Sequence, residues 1–318
     1  MWRYYAFRFA GLTLAHLPMK VGYLIAFLVA DTVYTLSPGM RAAILDNMRH
    51  VLGSEASDVQ LKQATHGVLR NAARNYFDLI KIPHMKSSEI ESLITLHGWH
   101  NLEHALDKGK GVILVTAHLG SFELASQLLA VRSIKTTVLV ESLEPPALLN
   151  HVTALRSSKG LTCVAAQSGA LEIVIQSLRR GEVVLFACDR DIAKDGFKSD
   201  FFDEETSLPA EAVRIAMRTG AAVLPAFSLR RNHGKHDIYC EPAMDIALGR
   251  NGAVARNIQQ VIRVMEKYIR ACPEQWVVLG RAWPDKQEPS SLSETLETPR
   301  GTKKVADSIH QQRTPLRQ

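Results

Sequence analysis

Gly111-Val112-Ile113-Leu114-Val115-Thr116-Ala117-His118-Leu119-Gly120-Ser121-Phe122-Glu123 is the stretch on which the reading of this chain turns. The apolar, β-branched run Val112–Val115 predicts a strand buried on both faces. His118 follows it, Leu119-Gly120-Ser121 turns the chain, and Phe122, Leu124, Ala125 and Leu128 begin a helical pattern with Ser121 as N-cap. A histidine thus stands where a strand stops, and Glu123 stands five residues later in the first turn of a helix. In open α/β sheets ligands bind outside the carboxyl ends of strands. An imidazole working there as a base needs a partner that fixes its tautomer, and Glu123 is placed to be one. A surface or cap pair has the same spacing, so the surrounding pattern has to decide.

Outward from this stretch, short apolar runs and helical patterns alternate. Strands are expected at 112–115, 137–140, 161–165, 183–187, 222–227 and 236–240. Helices are expected at 123–130, 146–158, 170–180, 209–218 and 254–269. Such alternation predicts an α/β layer fold with a mixed, largely parallel sheet flanked by helices. Before it, Met40–Val51 and Leu61–Ile82 carry apolar residues at helical spacing, the second run ending at Pro83. Residues 1–37 are apolar and aromatic, interrupted by His16, Pro18 and Lys20. Gly22–Leu36 is only fifteen residues, short of the ~20 that cross a bilayer as a helix. A helix or helical pair lying in the membrane interface fits the aromatic and basic flanks, and a buried core helix fits the length equally well. The expected organisation is therefore a membrane-associating segment at 1–37, a catalytic domain at 38–285 and a disordered, basic tail at 286–318.

Charge narrows the class of function. Residues 1–50 hold five Lys/Arg against two Asp/Glu, residues 286–318 hold six against four, and the body between is almost balanced. A nucleic-acid binder carries its basic footprint on the folded domain. Excess at the two ends suits an anionic lipid surface instead. The four cysteines are scattered without a CxxC pair, as expected of reduced thiols. No GxGxxG, Gly-Lys-Ser/Thr or GxSxG occurs, so nucleotide-cofactor and serine-hydrolase readings lack support.

Polar residues recur at the other strand ends. Glu141 follows the second expected strand, and Cys188-Asp189-Arg190-Asp191 follows the fourth. They form either a rigid charge network or the rim of a pocket. Arg156 and Lys159 precede Gly160, as ordinary C-terminal helix charges or as a clamp for an anionic head group. Phe201 and Phe202, in the acidic stretch Asp200–Glu205, suit a channel wall better than a solvated loop.

His118-Leu119-Gly120-Ser121-Phe122-Glu123 resembles the HX4(D/E) signature of glycerolipid-type acyltransferases. Within that group the chain is similar to the bacterial lipid A lauroyl/myristoyl acyltransferases and, more closely, to the phosphatidylinositol mannoside acyltransferases. The likeness runs over 1–285 through further blocks: Glu141 to Pro145, Arg156 with Gly160, Asp189-Arg190-Asp191, Asp200 to Pro209, Thr219 to Pro225, and Pro273-Glu274-Gln275-Trp276. It implies a glycerolipid-acyltransferase-like fold and transfer of a fatty acyl group from acyl-CoA or acyl carrier protein to a hydroxyl of a membrane glycolipid. His118 would be the general base and Glu123 would orient it, with backbone N–H groups near Ser121 receiving the oxyanion. Glu141 and Arg156 would contact the acceptor, and Asp189, Arg190 and Glu204 would shape the site. No metal or cofactor is expected, and the place of action would be the cytoplasmic face of a bacterial inner membrane. Three stretches depart from the mannoside pattern: Glu123 for Asp, Asp203 for Gly, and Ala210-Glu211-Ala212 for Ala-Gly-Pro. An acyl-thioester hydrolase and a non-catalytic lipid-binding protein are the rival functions.

Overall fold

Two apolar helices, α1 (Trp2–Leu14) and α2 (Met19–Leu36), open the chain on either side of Pro18, which sits just outside α2 where a missing N–H is tolerated. The computed structural model describes residues 1–167, 169–191, 196–249 and 251–283, so the tail expected at 286–318 lies outside the described residues. α2 is the one described helix long and apolar enough to cross a membrane. Its small residues Gly22, Ala26 and Ala30 are buried, whereas Val21, Leu24 and Leu28 face outward.

α3 (Pro38–Leu52) and the long α4 (Asp58–Lys81) follow. A capping box starts α4: Ser57 Oγ accepts from the Gln60 N–H, and the Gln60 side chain accepts from the Ser57 N–H. Gly22 lets α2 settle on α4, since a Cβ there would lie 2.0 Å from the Phe77 ring. A short helix, α5 (Ser87–Ser92), leads into the sheet.

The α/β part then runs β1 (Ile94–His97), α6 (Trp99–Asp107), β2 (Val112–Thr116), α7 (Phe122–Val131), β3 (Thr136–Val140), α8 (Pro146–Arg156), β4 (Thr162–Ala165), α9 (Ala170–Arg179) and β5 (Val183–Ala187). It continues with β6 (Phe197–Phe201), β7 (Glu204–Leu208), α10 (Glu211–Thr219), β8 (Ala222–Arg230), β9 (His236–Cys240) and α11 (Ala253–Ala271). Seven strands form one sheet in the order β1-β9-β8-β2-β5-β3-β4. All neighbours are parallel except β8 and β9. The mixed, mostly parallel sheet flanked by helices is the expected architecture. β2 lies between β8 and β5, and Val112, Ile113, Leu114 and Val115 are all buried, as a strand covered on both faces requires.

Three expectations are corrected. Asp200–Pro209 is neither a loop nor a channel wall: β6 and β7 form a hairpin with Phe202 and Asp203 at φ +50° and +63°, the left-handed pair that a tight hairpin turn demands. Phe201 and Phe202 are buried in its packing. Pro209 precedes α10 and does not open it, and β1 with α6 adds an edge strand and helix that the pattern did not single out.

Candidate active site

Because β2, β5 and β3 are parallel neighbours, the residues that follow them gather on one rim: His118, then Asp189, then Glu141. Register aligns Thr116 with Ala187, so the segments carrying His118 and Asp189 leave the sheet side by side. His118 Nδ1 lies 2.9 Å from Asp189 Oδ1, and the His118 backbone N–H donates to Asp189 Oδ2 at 3.0 Å. Trp276 Nε1 donates to the same Oδ2 at 2.8 Å. The Asp189 side chain is fully buried, while that of His118 keeps 24% of its surface. Burial opposes ionisation of Asp189, but the facing imidazole and the hydrogen bonds from His118 and Trp276 outweigh it, holding the carboxyl below the usual range. An ionised Asp189 accepts the Nδ1 proton and leaves Nε2 as the basic nitrogen. Phe122 meets the ring edge-on, with centroids 5.2 Å apart.

The pairing of His118 with Glu123 is therefore corrected. Glu123, buried in the first turn of α7, is taken by Arg156 at the end of α8. Arg156 Nε lies 2.9 and 3.1 Å from its two oxygens, and the guanidinium closes a second contact through Nη2. Burial disfavours the Arg156 charge, yet Glu123 beside it keeps the pKa above its ordinary value. A filled guanidinium fork is no clamp for a head group, so the contact expected of Arg156 is spent inside the protein. Lys159 likewise donates to the Pro83 and Met85 carbonyls.

Arg190 and Glu141 form a looser pair at 3.4 Å, each side chain more than a third exposed. Asp191 turns away, accepting from Ser207 Oγ at 2.6 Å and from the Gly196 N–H. Glu204 binds His50 at 2.9 Å, and the His50 ring stacks on Trp283. Between Glu204 and the Asp189–His118 pair lies the ring cluster Trp283–Phe201–Trp276, whose last member bonds Asp189.

The turn after His118 is held from two sides. On one side the Gly120 N–H donates to the Gln275 carbonyl and the Val277 N–H to the His118 carbonyl, which gives the 273–276 block a positional purpose. Gly120 adopts φ +61°, and a Cβ there would lie 2.1 Å from the Ser228 carbonyl oxygen. On the other side lies a buried network that sequence reasoning missed. Ser121 Oγ donates to Asp78 at 2.8 Å instead of capping α7, and Asn75 donates to the Gly120 carbonyl. Arg230 of β8 binds Asp78 and Asn75, and Tyr23 of α2 donates to Asp78 at 2.8 Å. The signal was available: Asn71, Asn75 and Asp78 interrupt the apolar face of α4 at i, i+4 and i+7, and buried polar groups need partners.

A histidine at the end of the central strand, hydrogen-bonded to a buried carboxylate and fixed by a turn without room for a side chain, marks this rim as the candidate active site of an α/β protein. The chain belongs to the bacterial lipid A biosynthesis acyltransferase family, whose model matches residues 1–285, and it is an acyltransferase. It is 30% identical over 215 residues to a phosphatidylinositol mannoside acyltransferase of Mycobacterium tuberculosis, covering 66% of each chain. With the protein of that name from Mycolicibacterium smegmatis it shares 25% over 257 residues, 80% of this chain and 83% of the other. The lipid A biosynthesis palmitoleoyltransferase of Escherichia coli is 24% identical over 199 residues, 61% and 62% of the two chains.

Proposed function

We propose that this enzyme moves a fatty acyl chain from a thioester, acyl-CoA or acyl carrier protein, to a hydroxyl of a phosphatidylinositol mannoside-like or lipid A-type glycolipid. It does so at the cytoplasmic face of the inner membrane. The observation that carries it is the Asp189–His118 pair, whose hydrogen bond leaves Nε2 unprotonated at the rim of the sheet. Nε2 takes the acceptor's hydroxyl proton as the oxygen attacks the thioester carbonyl. The tetrahedral oxyanion then collapses, the C–S bond breaks, and the imidazolium returns its proton to the leaving thiolate. The amides of the first turn of α7, which Ser121 leaves uncapped, are suited to receive the oxyanion. The thioester supplies the activation, so no metal or cofactor enters the scheme.

Arg156 being occupied by Glu123, acceptor contact falls to the half-exposed pair Glu141 and Arg190. An apolar cavity behind Cys188, lined by Leu208, Val213, Ile262 and Met265, encloses only about 10 Å³, so an acyl chain entering there requires α10 to move from α11. The outward faces of α1 and α2, with Tyr5, Phe9, Leu12, Val21, Leu24 and Leu28 exposed, support an interfacial seat on the bilayer.

The test is acyl-CoA turnover with and without added glycolipid. Acceptor-dependent turnover that falls at least ~10²-fold in His118→Ala is expected. Equal turnover without acceptor would mean a hydrolase, and lipid binding with no transfer would mean a non-catalytic protein. Lipid mass spectrometry of a strain lacking the gene identifies the acceptor by its missing acyl chain.

A further inference from the structure

We propose that the outer seam where α2 packs on α4 binds the phosphate of an anionic bilayer lipid, with Arg74 as its principal ligand. The inference rests on the interfacial seating of α2 proposed above. α4 carries His66, Arg70 and Arg74 at i, i+4 and i+8, one row along the helix. Facing them, α2 presents Tyr23, Phe27 and Tyr34. The Arg74 guanidinium lies 4.6 Å from the Phe27 ring and 5.8 Å from the Tyr23 ring, and Arg70 lies 5.3 Å from Phe27. His66 meets Tyr34 edge-on at 4.9 Å, and Arg41 extends the row over that same ring at 5.3 Å.

Partner accounting separates Arg74 from its neighbours. Asp31 serves both His66, at 2.7 Å, and Arg70, at 3.0 Å. Arg41 donates to the Tyr34 carbonyl, and Arg230 is consumed by Asp78 and Asn75. Arg74 is half-buried, its Nε is buried without a partner, and its contacts are the two aromatic faces. Among the described arginines that are not exposed, it alone makes neither a hydrogen bond nor an ion pair. Burial and then Arg230 work against its charge and outweigh the support of Tyr23 and Asp78, so an incoming anion relieves a cost already present.

Position names the anion. Tyr23 and Phe27 each precede an outward residue, Leu24 and Leu28, by one step, about 100° around the helix. With that ridge among acyl chains, the aromatic flank and the basic row lie at head-group depth, where aromatic rings and arginines are favoured. A guanidinium fork matches phosphate oxygens in pairs, and the row offers four basic side chains against Asp31 and, behind Tyr23, Asp78, the latter already engaged by Arg230.

The test uses the full chain and sedimentation with phosphatidylcholine vesicles, with and without phosphatidylglycerol. The wild type should prefer the anionic vesicles. Arg74→Gln should lose about fivefold or more of that preference, the worth of one basic side chain at a surface, with binding to neutral vesicles and thermal midpoint unchanged. Arg74→Lys should keep part of it, and Arg218→Gln on α10 should keep all of it. Raising salt from about 0.15 M to about 1 M should remove diffuse attraction and leave part of the Arg74-dependent share, because a half-buried contact is screened less. An unchanged preference in Arg74→Gln, or equal wild-type binding to both vesicles, would overturn the site and leave interfacial seating intact. No wild-type binding to either vesicle would overturn both.

Discussion

Asp189→Asn is the substitution that asks most of the proposed mechanism. It is nearly isosteric, so the buried volume is kept and only the hydrogen-bond character changes. In the wild type, one oxygen accepts from His118 Nδ1 and the other accepts from the His118 N–H at 3.0 Å and Trp276 Nε1 at 2.8 Å. An asparagine has one carbonyl oxygen, and two fixed donors claim it. The amide NH₂ then faces Nδ1, which must become an acceptor, and the proton moves to Nε2. The base is lost although nothing is displaced. A wrong tautomer in a comparable orienting pair lowers kcat by ~10⁴, and removal of a general base by ~10² at least, so a fall between these is expected. Stability should change by less than about 3 kcal/mol, because the one charge-assisted bond lost is worth about 1.5–3 kcal/mol and relief of a buried charge offsets part of it. Acyl transfer from acyl-CoA to glycolipid, followed over a single turnover, reads the effect, and a denaturant melt checks the fold. An Asp189→Asn enzyme within tenfold of wild type, beside a Glu123→Gln enzyme that is inactive yet folded, would refute the reasoning and return the orienting role to Glu123.

The remaining expectations concern the scaffold. Ser121→Ala removes a buried hydrogen bond to Asp78 and should cost about 1–3 kcal/mol in a urea melt, with kcat lowered more than the KM for acyl donor; an unchanged kcat would deny Ser121 a part in holding the turn. Gly120→Ala forces a Cβ to 2.1 Å from the Ser228 oxygen in a left-handed backbone, so soluble yield or melting midpoint should drop by the equivalent of at least about 2 kcal/mol. His236 is buried with neither ring nitrogen bonded, and burial, then Arg230, depress its pKa to about 4. A base with a depressed folded pKa charges first in the unfolded chain, so its share of stability is full above pH 6.5 and drains as pH falls toward 4, by at most about 3 kcal/mol. Urea midpoints measured across that window should flatten in His236→Leu.

The sheet was legible because parallel strands buried on both faces write themselves as short β-branched runs, and β2 and β5 fall where those runs lie. The β6–β7 hairpin was not, because its turn, Phe202-Asp203, has none of the glycine or asparagine that usually announces left-handed backbone. His118 was legible as a strand-end histidine, but its partner was not. Spacing along one helix suggested Glu123, whereas the sheet order that sets β5 beside β2 supplies Asp189 from seventy-one residues away. Arg156 was misread for a related reason: a basic residue at a helix end looks free until the carboxylate of another helix is found inside its fork.

Tyr23 sits on an N-terminal helix that composition marks off as an attachment device, yet its hydroxyl reaches Asp78, and Asp78 grips the peptide loop that presents the imidazole. The first helices and the candidate site are therefore one piece of joinery. Grafting a foreign leader in place of α2, or clipping the chain near Ser37, would leave the loop after His118 without the Tyr23 end of its support.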